Sequence, residues 1–92
     1  MTQDDITRVL TAAREGTKLV VSYESPRGER RFGIPITSVK HDAEGNVQRV
    51  NLECGTAAWM FVKRRKLDGD ELRWCLFQPN PYPIHEVAVE AG

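Results

Sequence analysis

Thr17-Lys18-Leu19-Val20-Val21-Ser22-Tyr23-Glu24-Ser25-Pro26-Arg27-Gly28-Glu29-Arg30-Arg31-Phe32-Gly33-Ile34-Pro35-Ile36 is the stretch on which the fold turns. Residues 17 to 24 alternate, with Leu19, Val21 and Tyr23 on one face and Lys18, Ser22 and Glu24 on the other. That is the two-residue period of a half-buried strand. Ser25-Pro26-Arg27-Gly28 then reverses the chain, because Pro26 pre-sets its φ and Gly28 tolerates a positive one. A return strand over about residues 29 to 40 places Phe32, Ile34 and Ile36 together. Pro35 cannot donate to a ladder, which predicts a bulge or an edge there; Gly33-Ile34-Pro35 and Gly55 are the two bend candidates.

Reading towards the carboxyl end, a hairpin at Asp42-Ala43-Glu44-Gly45-Asn46 leads into a strand over about 47 to 54, with Val50, Leu52 and Cys54 on one side. The next, about 56 to 64, has Trp59 and Phe61 opposite Met60 and Val62. Apolar on both faces, it is central or touches something on its second face. The basic run Lys63-Arg64-Arg65-Lys66 ends this strand, and the Asp68-Gly69 step after it signals another hairpin. The partner strand, about 71 to 78, sets Leu72, Trp74 and Leu76 against Arg73, Cys75 and Phe77. Three prolines in Pro79-Asn80-Pro81-Tyr82-Pro83 argue against regular structure, and a last strand is expected over about 84 to 90.

Reading back to the amino end, Thr2 with Asp5 makes a capping-box start, and Ile6, Val9, Leu10 and Ala13 share one helical face. Gly16 supplies a left-handed stop, so a helix is predicted over about residues 3 to 15. The chain is thus mainly β with one amino-terminal helix (α+β): five or six short strands joined by tight turns. A small, strongly bent antiparallel sheet or an SH3-like or Sm-like barrel fits that order. No second helix of adequate length exists for a ferredoxin-like fold. With 92 residues the expectation is a single domain spanning 1–92, since a second core would need roughly 50 residues of its own.

Hydrophobic residues make up 40% and charged residues 28%, which excludes disordered, collagenous and membrane-spanning classes. No apolar run approaches the roughly 18 residues of a membrane span, and Met1-Thr2-Gln3-Asp4-Asp5 is acidic where a signal peptide is basic. A cytoplasmic chain is expected. Thirteen cations balance thirteen anions, so the protein does not coat nucleic acid with its whole surface. The balance is uneven: Arg27, Arg30, Arg31 and the run Lys63 to Lys66 hold seven of the thirteen cations.

Enzymatic constellations are sparse. There is no glycine-rich phosphate loop, HExxH or GxSxG. Cys54 and Cys75 lack CxxC spacing, and His41 and His85 lack zinc-finger spacing, so neither metal nor cofactor is expected and the cysteines read as free thiols. A Cys–His nucleophile would need one of four chance pairings of these residues. The basic positions carry more. Lys and Arg hold phosphates while bases stack on aromatic faces, so Trp59, Phe61 or Trp74 beside Lys63, Arg64 and Arg65 suits a single strand. The alternative is a solvated charged face over an ordinary aromatic core, locally neutralised by Asp68, Asp70 and Glu71.

Leu10-Thr11-Ala12-Ala13-Arg14-Glu15-Gly16-Thr17-Lys18-Leu19-Val20-Val21-Ser22-Tyr23, then Gly28-Glu29-Arg30-Arg31 and Pro35, resembles the opening of WYL domains. The resemblance covers about residues 6 to 36. Past Pro35, Trp59-Met60-Phe61 is a degenerate counterpart of the family's Trp-Tyr-Leu triplet, and residues 72 to 77 loosely echo its later Arg-containing strand. The resemblance implies an SH3-like or Sm-like barrel that senses a ligand or binds nucleic acid in bacterial regulators. It implies Tyr23 and Arg31 as site positions, with Arg73 a third.

The sequence therefore leads to a non-enzymatic binding module of regulatory role, contacting nucleic acid or a small anionic ligand through Tyr23, Arg31, Trp59, Lys63, Arg64, Arg65 and Arg73. The rival reading is a protein-interaction or structural module, a homodimer or hetero-complex formed through the apolar strand faces around Trp59 and Trp74.

Overall fold

The hairpin that opens the β region forms as its alternation requires. In a computed structural model, which describes residues 1–53, 60–67, 69, 71–78 and 80–91, β1 (Lys18–Ser25) pairs antiparallel with β2 (Gly28–His41). Its register runs from Ser25↔Gly28 to Lys18↔Pro35. Gly28 has φ +106°, a conformation that a side chain would strain.

At 14 residues β2 is long enough to serve two neighbours. Up to Pro35 it pairs with β1; from Ile36 onward it pairs with β3 (Val47–Leu52), and the register shifts between Ile36 and Ser38. The bend therefore falls directly after the proline. The Pro35 carbonyl still accepts the Glu53 N–H at 2.9 Å, so the missing donor leaves no gap in the corner. Gly55, the other bend candidate, lies outside the described residues.

β4 (Met60–Lys66), β5 (Leu72–Phe77) and β6 (Pro81–Glu90) complete a closed antiparallel barrel in chain order, with β6 returning to β1. The first residues of the predicted 56 to 64 strand lie outside the described residues. The basic run does not end β4 but belongs to it: Arg64, Arg65 and Lys66 pair with Trp74, Arg73 and Leu72.

The proline-rich segment corrects another expectation. β6 begins at Pro81 rather than near residue 84, and Pro81, Tyr82 and Pro83 pair with Phe77, Leu76 and Cys75. Alternate residues of a strand point their N–H groups to the same side. Prolines at 81 and 83 thus lose donors on one edge only, where β1 pairing has not yet begun; it starts at Tyr23↔Ile84.

The helix is also shorter than predicted. α1 spans Gln3–Thr11, with the Thr2–Asp5 capping box formed in both directions. Its end is fixed by the turn that follows: Thr17 donates to the Arg14 carbonyl through both its N–H and its hydroxyl. Gly16, at φ +89°, serves that turn and donates to the Ile36 carbonyl.

Ile6 and Leu10 of α1 are fully buried with Leu19, Val21, Val50, Val62, Trp74, Leu76 and Ile84 in one core. The helix closes one end of the barrel and is fastened there by Trp74. The indole Nε1 donates to Thr7 Oγ1 at 2.8 Å, and the Trp74 N–H donates to Gln3 Oε1 at 2.7 Å. β6 has already left β5 at that level, since their pairing stops at Cys75; Gln3 takes up the donor that the parted strands would strand. Among the described residues, no helix is long and apolar enough to cross a membrane.

Candidate functional site

The outer face of β3, β4 and β5 carries the candidate site. Val50, Leu52, Val62, Trp74 and Leu76 point into the core, so strand alternation turns their neighbours outward. Cross-strand pairing sorts these neighbours into three successive rows. Asn51, Phe61 and Phe77 form the first; Arg49, Lys63 and Cys75 the second; Arg65 and Arg73 the third. An aromatic row thus borders two rows of cations.

The first row is held rigidly. Phe61 and Phe77 stack with ring centroids 4.6 Å apart and planes 10° apart, and the Arg49 guanidinium carbon lies 3.6 Å from the Phe61 centroid. One ring face cannot accept both, so the guanidinium and Phe77 enclose Phe61 from two sides, leaving it 7% exposed. Arg49 is oriented in turn: its Nε donates to Asn51 Oδ1 at 2.6 Å, and Asn51 Nδ2 donates to Ser38 Oγ at 2.9 Å. This explains how β4 is apolar on both faces in a closed barrel. Its second face is covered by its own chain.

Cations crowd the other rows. Arg49 stands opposite Lys63, and Arg65 opposite Arg73. Like charges directly across a sheet are destabilising, yet among the described residues no carboxylate lies within 4 Å of Lys63, Arg65 or Arg73. Arg64 and Lys66 take the opposite parity, with Val62. The Arg64 guanidinium sits 5.2 Å from the Trp74 ring centroid, where β4 overruns the core. Nearby, Asp42 is held below the usual carboxylate range chiefly by the Asn46 N–H, with Arg64 a lesser contributor.

One open hollow lies on this face and a second at its edge, where Gln48, Arg64 and Leu72 share the parity of Val62 and Trp74. The first, of about 280 Å³, is lined by Arg49, Phe61, Lys63, Arg64, Arg65 and Phe77; the second, of about 270 Å³, by Gln48, Lys63, Arg64 and Leu72. Both fall below the roughly 300–1,000 Å³ of enclosed small-molecule pockets, and they share Lys63 and Arg64 as walls.

The residues expected from the sequence divide accordingly. Lys63, Arg65 and Arg73 come together on this face, and Arg64 adjoins it. Trp59 lies outside the described residues. Tyr23 is 4% exposed: its parity with Leu19 and Val21 turns it into the core, where it packs edge-on to Phe32 and donates its hydroxyl to Gln78 Oε1 at 3.2 Å. Arg31 lies on the β1–β2–β6 side, bonded to Ser22 Oγ and 3.6 Å from Glu86. Trp74, considered as a stacking surface, is fully buried with its indole N–H engaged by Thr7. Arg49 was not singled out by sequence, because the pairing that brings it to Phe61 joins strands by register rather than by spacing. Its parity with Asn51, opposite the core residues Val50 and Leu52, was the available signal.

Cys75 is buried beneath this face as a free thiol. Burial raises its pKa, with Arg73 and Arg65 acting weakly in the other direction; Cys54 lies outside the described residues. No family model, curated protein or solved structure matches the chain, so the resemblance to WYL domains rests on the quoted residues alone.

Proposed function

We propose that this barrel is a non-enzymatic binding module, WYL-like in its first third, that contacts nucleic acid or a small anionic ligand through the β3–β4–β5 face in a regulatory role. One observation carries the reading. In a chain with no net charge, Lys63, Arg65 and Arg73 gather on one face with no carboxylate within 4 Å among the described residues. An anionic partner would relieve the cross-strand repulsion, which a purely solvated face has no reason to retain. The rival reading, association through apolar strand faces, draws less support because Phe61 and Cys75 are already covered within the chain.

The test is binding of fluorescein-labelled oligonucleotides and of inorganic phosphates across a salt series. Binding should weaken steeply with salt. It should fall at least tenfold in Lys63→Gln/Arg65→Gln/Arg73→Gln and stay within twofold in the control Arg27→Gln/Arg30→Gln. Equal losses in both variants, or a salt-insensitive dimer that binds no anion, would overturn the proposal.

A further inference from the structure

We infer that the occupant of this face is a single-stranded polynucleotide, laid across β3, β4 and β5 with its backbone over the cations and a base against Phe77. This rests on the binding role proposed above and names its ligand. Three observations converge on it.

The first is the shape of the charge. Positions two apart on a strand are about 7 Å apart and neighbouring strands about 4.8 Å apart, so Arg49 and Arg73 are about 12 Å apart along the diagonal. The Arg49 side chain is laid away from Arg73, over Phe61. Cations spread over two rows and three strands form a track, where a compact anion would need them converging on one point. The hollow on this face is walled by cations of two strands, Arg49 of β3 and Lys63, Arg64 and Arg65 of β4.

The second is the aromatic border. Phe61 is enclosed between Arg49 and Phe77 and has no face left for a base. It is the backing that holds Phe77 flat, and Phe77 is only half-buried at the end of the stack. A ring presented beside a backbone track is of use to unpaired bases, since those of a duplex are turned inward and stacked on each other. Inorganic polyphosphate would ignore it.

The third is the kind of recognition on offer. Apart from Asn51, whose amide is bonded to Arg49 and Ser38, and the buried Cys75, the outward groups are guanidinium, ammonium and a phenyl ring, and each accepts any nucleotide. Binding is therefore tolerant of sequence.

The experiment uses the full chain with labelled oligo-dT and oligo-dA of about 15 nucleotides, the upper end of single-strand site sizes. Competitors are dTMP, pyrophosphate, polyphosphate and a duplex of the same length. Expected are affinities for the two oligomers within about fivefold of one another, and a slope of log affinity against log salt of about −2 to −3. That slope corresponds to three or four phosphates at about −0.7 each, and Arg65→Gln or Arg73→Gln should each flatten it by about 0.7. Phe77→Leu should weaken oligonucleotide binding about tenfold while Phe77→Trp preserves it, with thermal melts confirming that both fold. If no anion binds, the binding role itself falls. If dTMP or pyrophosphate competes as well as the oligomer, the role stands and the strand inference is overturned. Tighter binding of duplex, or polyphosphate binding equal to oligo-dT with Phe77→Leu without effect, overturns it equally.

Discussion

The junction between helix and barrel makes a quantitative prediction at Trp74 and Thr7. Trp74 is completely buried, and its indole N–H has one partner, Thr7 Oγ1 at 2.8 Å; the same hydroxyl donates to the Gln3 carbonyl at 3.0 Å. Thr7→Val keeps the shape and β-branching but removes the acceptor, leaving a buried donor unsatisfied at a cost of about 1–3 kcal/mol. Trp74→Phe deletes the donor together with part of the ring, leaving a cavity. Complete truncation of a buried Trp costs about 3–5 kcal/mol, so this partial one should cost about 1–3 kcal/mol. In the double variant there is no donor to strand. Its loss should fall short of the sum of the single losses by about 1 kcal/mol. Denaturant unfolding of the four proteins measures this directly, provided the m-values agree. Against a total of roughly 5–14 kcal/mol for a chain of this length, each single change is large, and each kcal/mol should lower Tm by about 4–8 °C. Additivity within about 0.3 kcal/mol would refute the reasoning, because the indole would then not depend on the helix and α1 would not be fastened through it.

Arg65→Gln should act in opposite directions in two assays: it weakens anion binding, and it raises Tm by relieving the pair with Arg73, a gain that shrinks in about 1 M salt where charges are screened within about 3 Å. A lower Tm, or a gain indifferent to salt, would count against the repulsion. Asp5 and Asp42 both have folded pKa values below the ordinary 3.8, from Thr2 at Asp5 and chiefly from the Asn46 N–H at Asp42. A depressed carboxylate stabilises the fold above its unfolded pKa and ceases to as pH falls through the folded one. The stability gap between the native chain and Asp42→Ala, measured by urea unfolding, should therefore be full near neutrality and narrow as pH drops below 3.8. In a Cys54→Ser chain, the raised pKa and burial of Cys75 predict a thiol that Ellman's reagent modifies only as fast as the protein unfolds; rapid modification under native conditions would contradict its burial.

How much of this was legible in the chain differs from feature to feature. The β1–β2 hairpin, the capping box and the placing of Tyr23 with Leu19 and Val21 follow from period and turn chemistry, because both are local. The helix end was overestimated by four residues, from residue 15 to Thr11, because Gly16 answers to the Thr17 turn and the Ile36 carbonyl rather than to the helix. Pro81 and Pro83 argued against a strand by type; their alternation, which sets both missing donors on one edge, acquires meaning only once β5 lies on the other.

The candidate site shows the same division. The run Lys63 to Lys66 announces positive charge by composition alone, and the strand period already separates Lys63 and Arg65 from Arg64 and Lys66. That Arg65 meets Arg73, that Arg49 meets Lys63 and covers Phe61, and that Trp74 spends its indole on the helix depend on pairings between strands and on α1 closing the barrel. A mainly β chain, its turns, its helix start and its inventory of charge can be read from the residues in order, since each is set by residues within a few positions of one another. Which cations share a face and which aromatic rings are spent as core follow from the closing of the barrel, because register between strands is a property that no single segment contains.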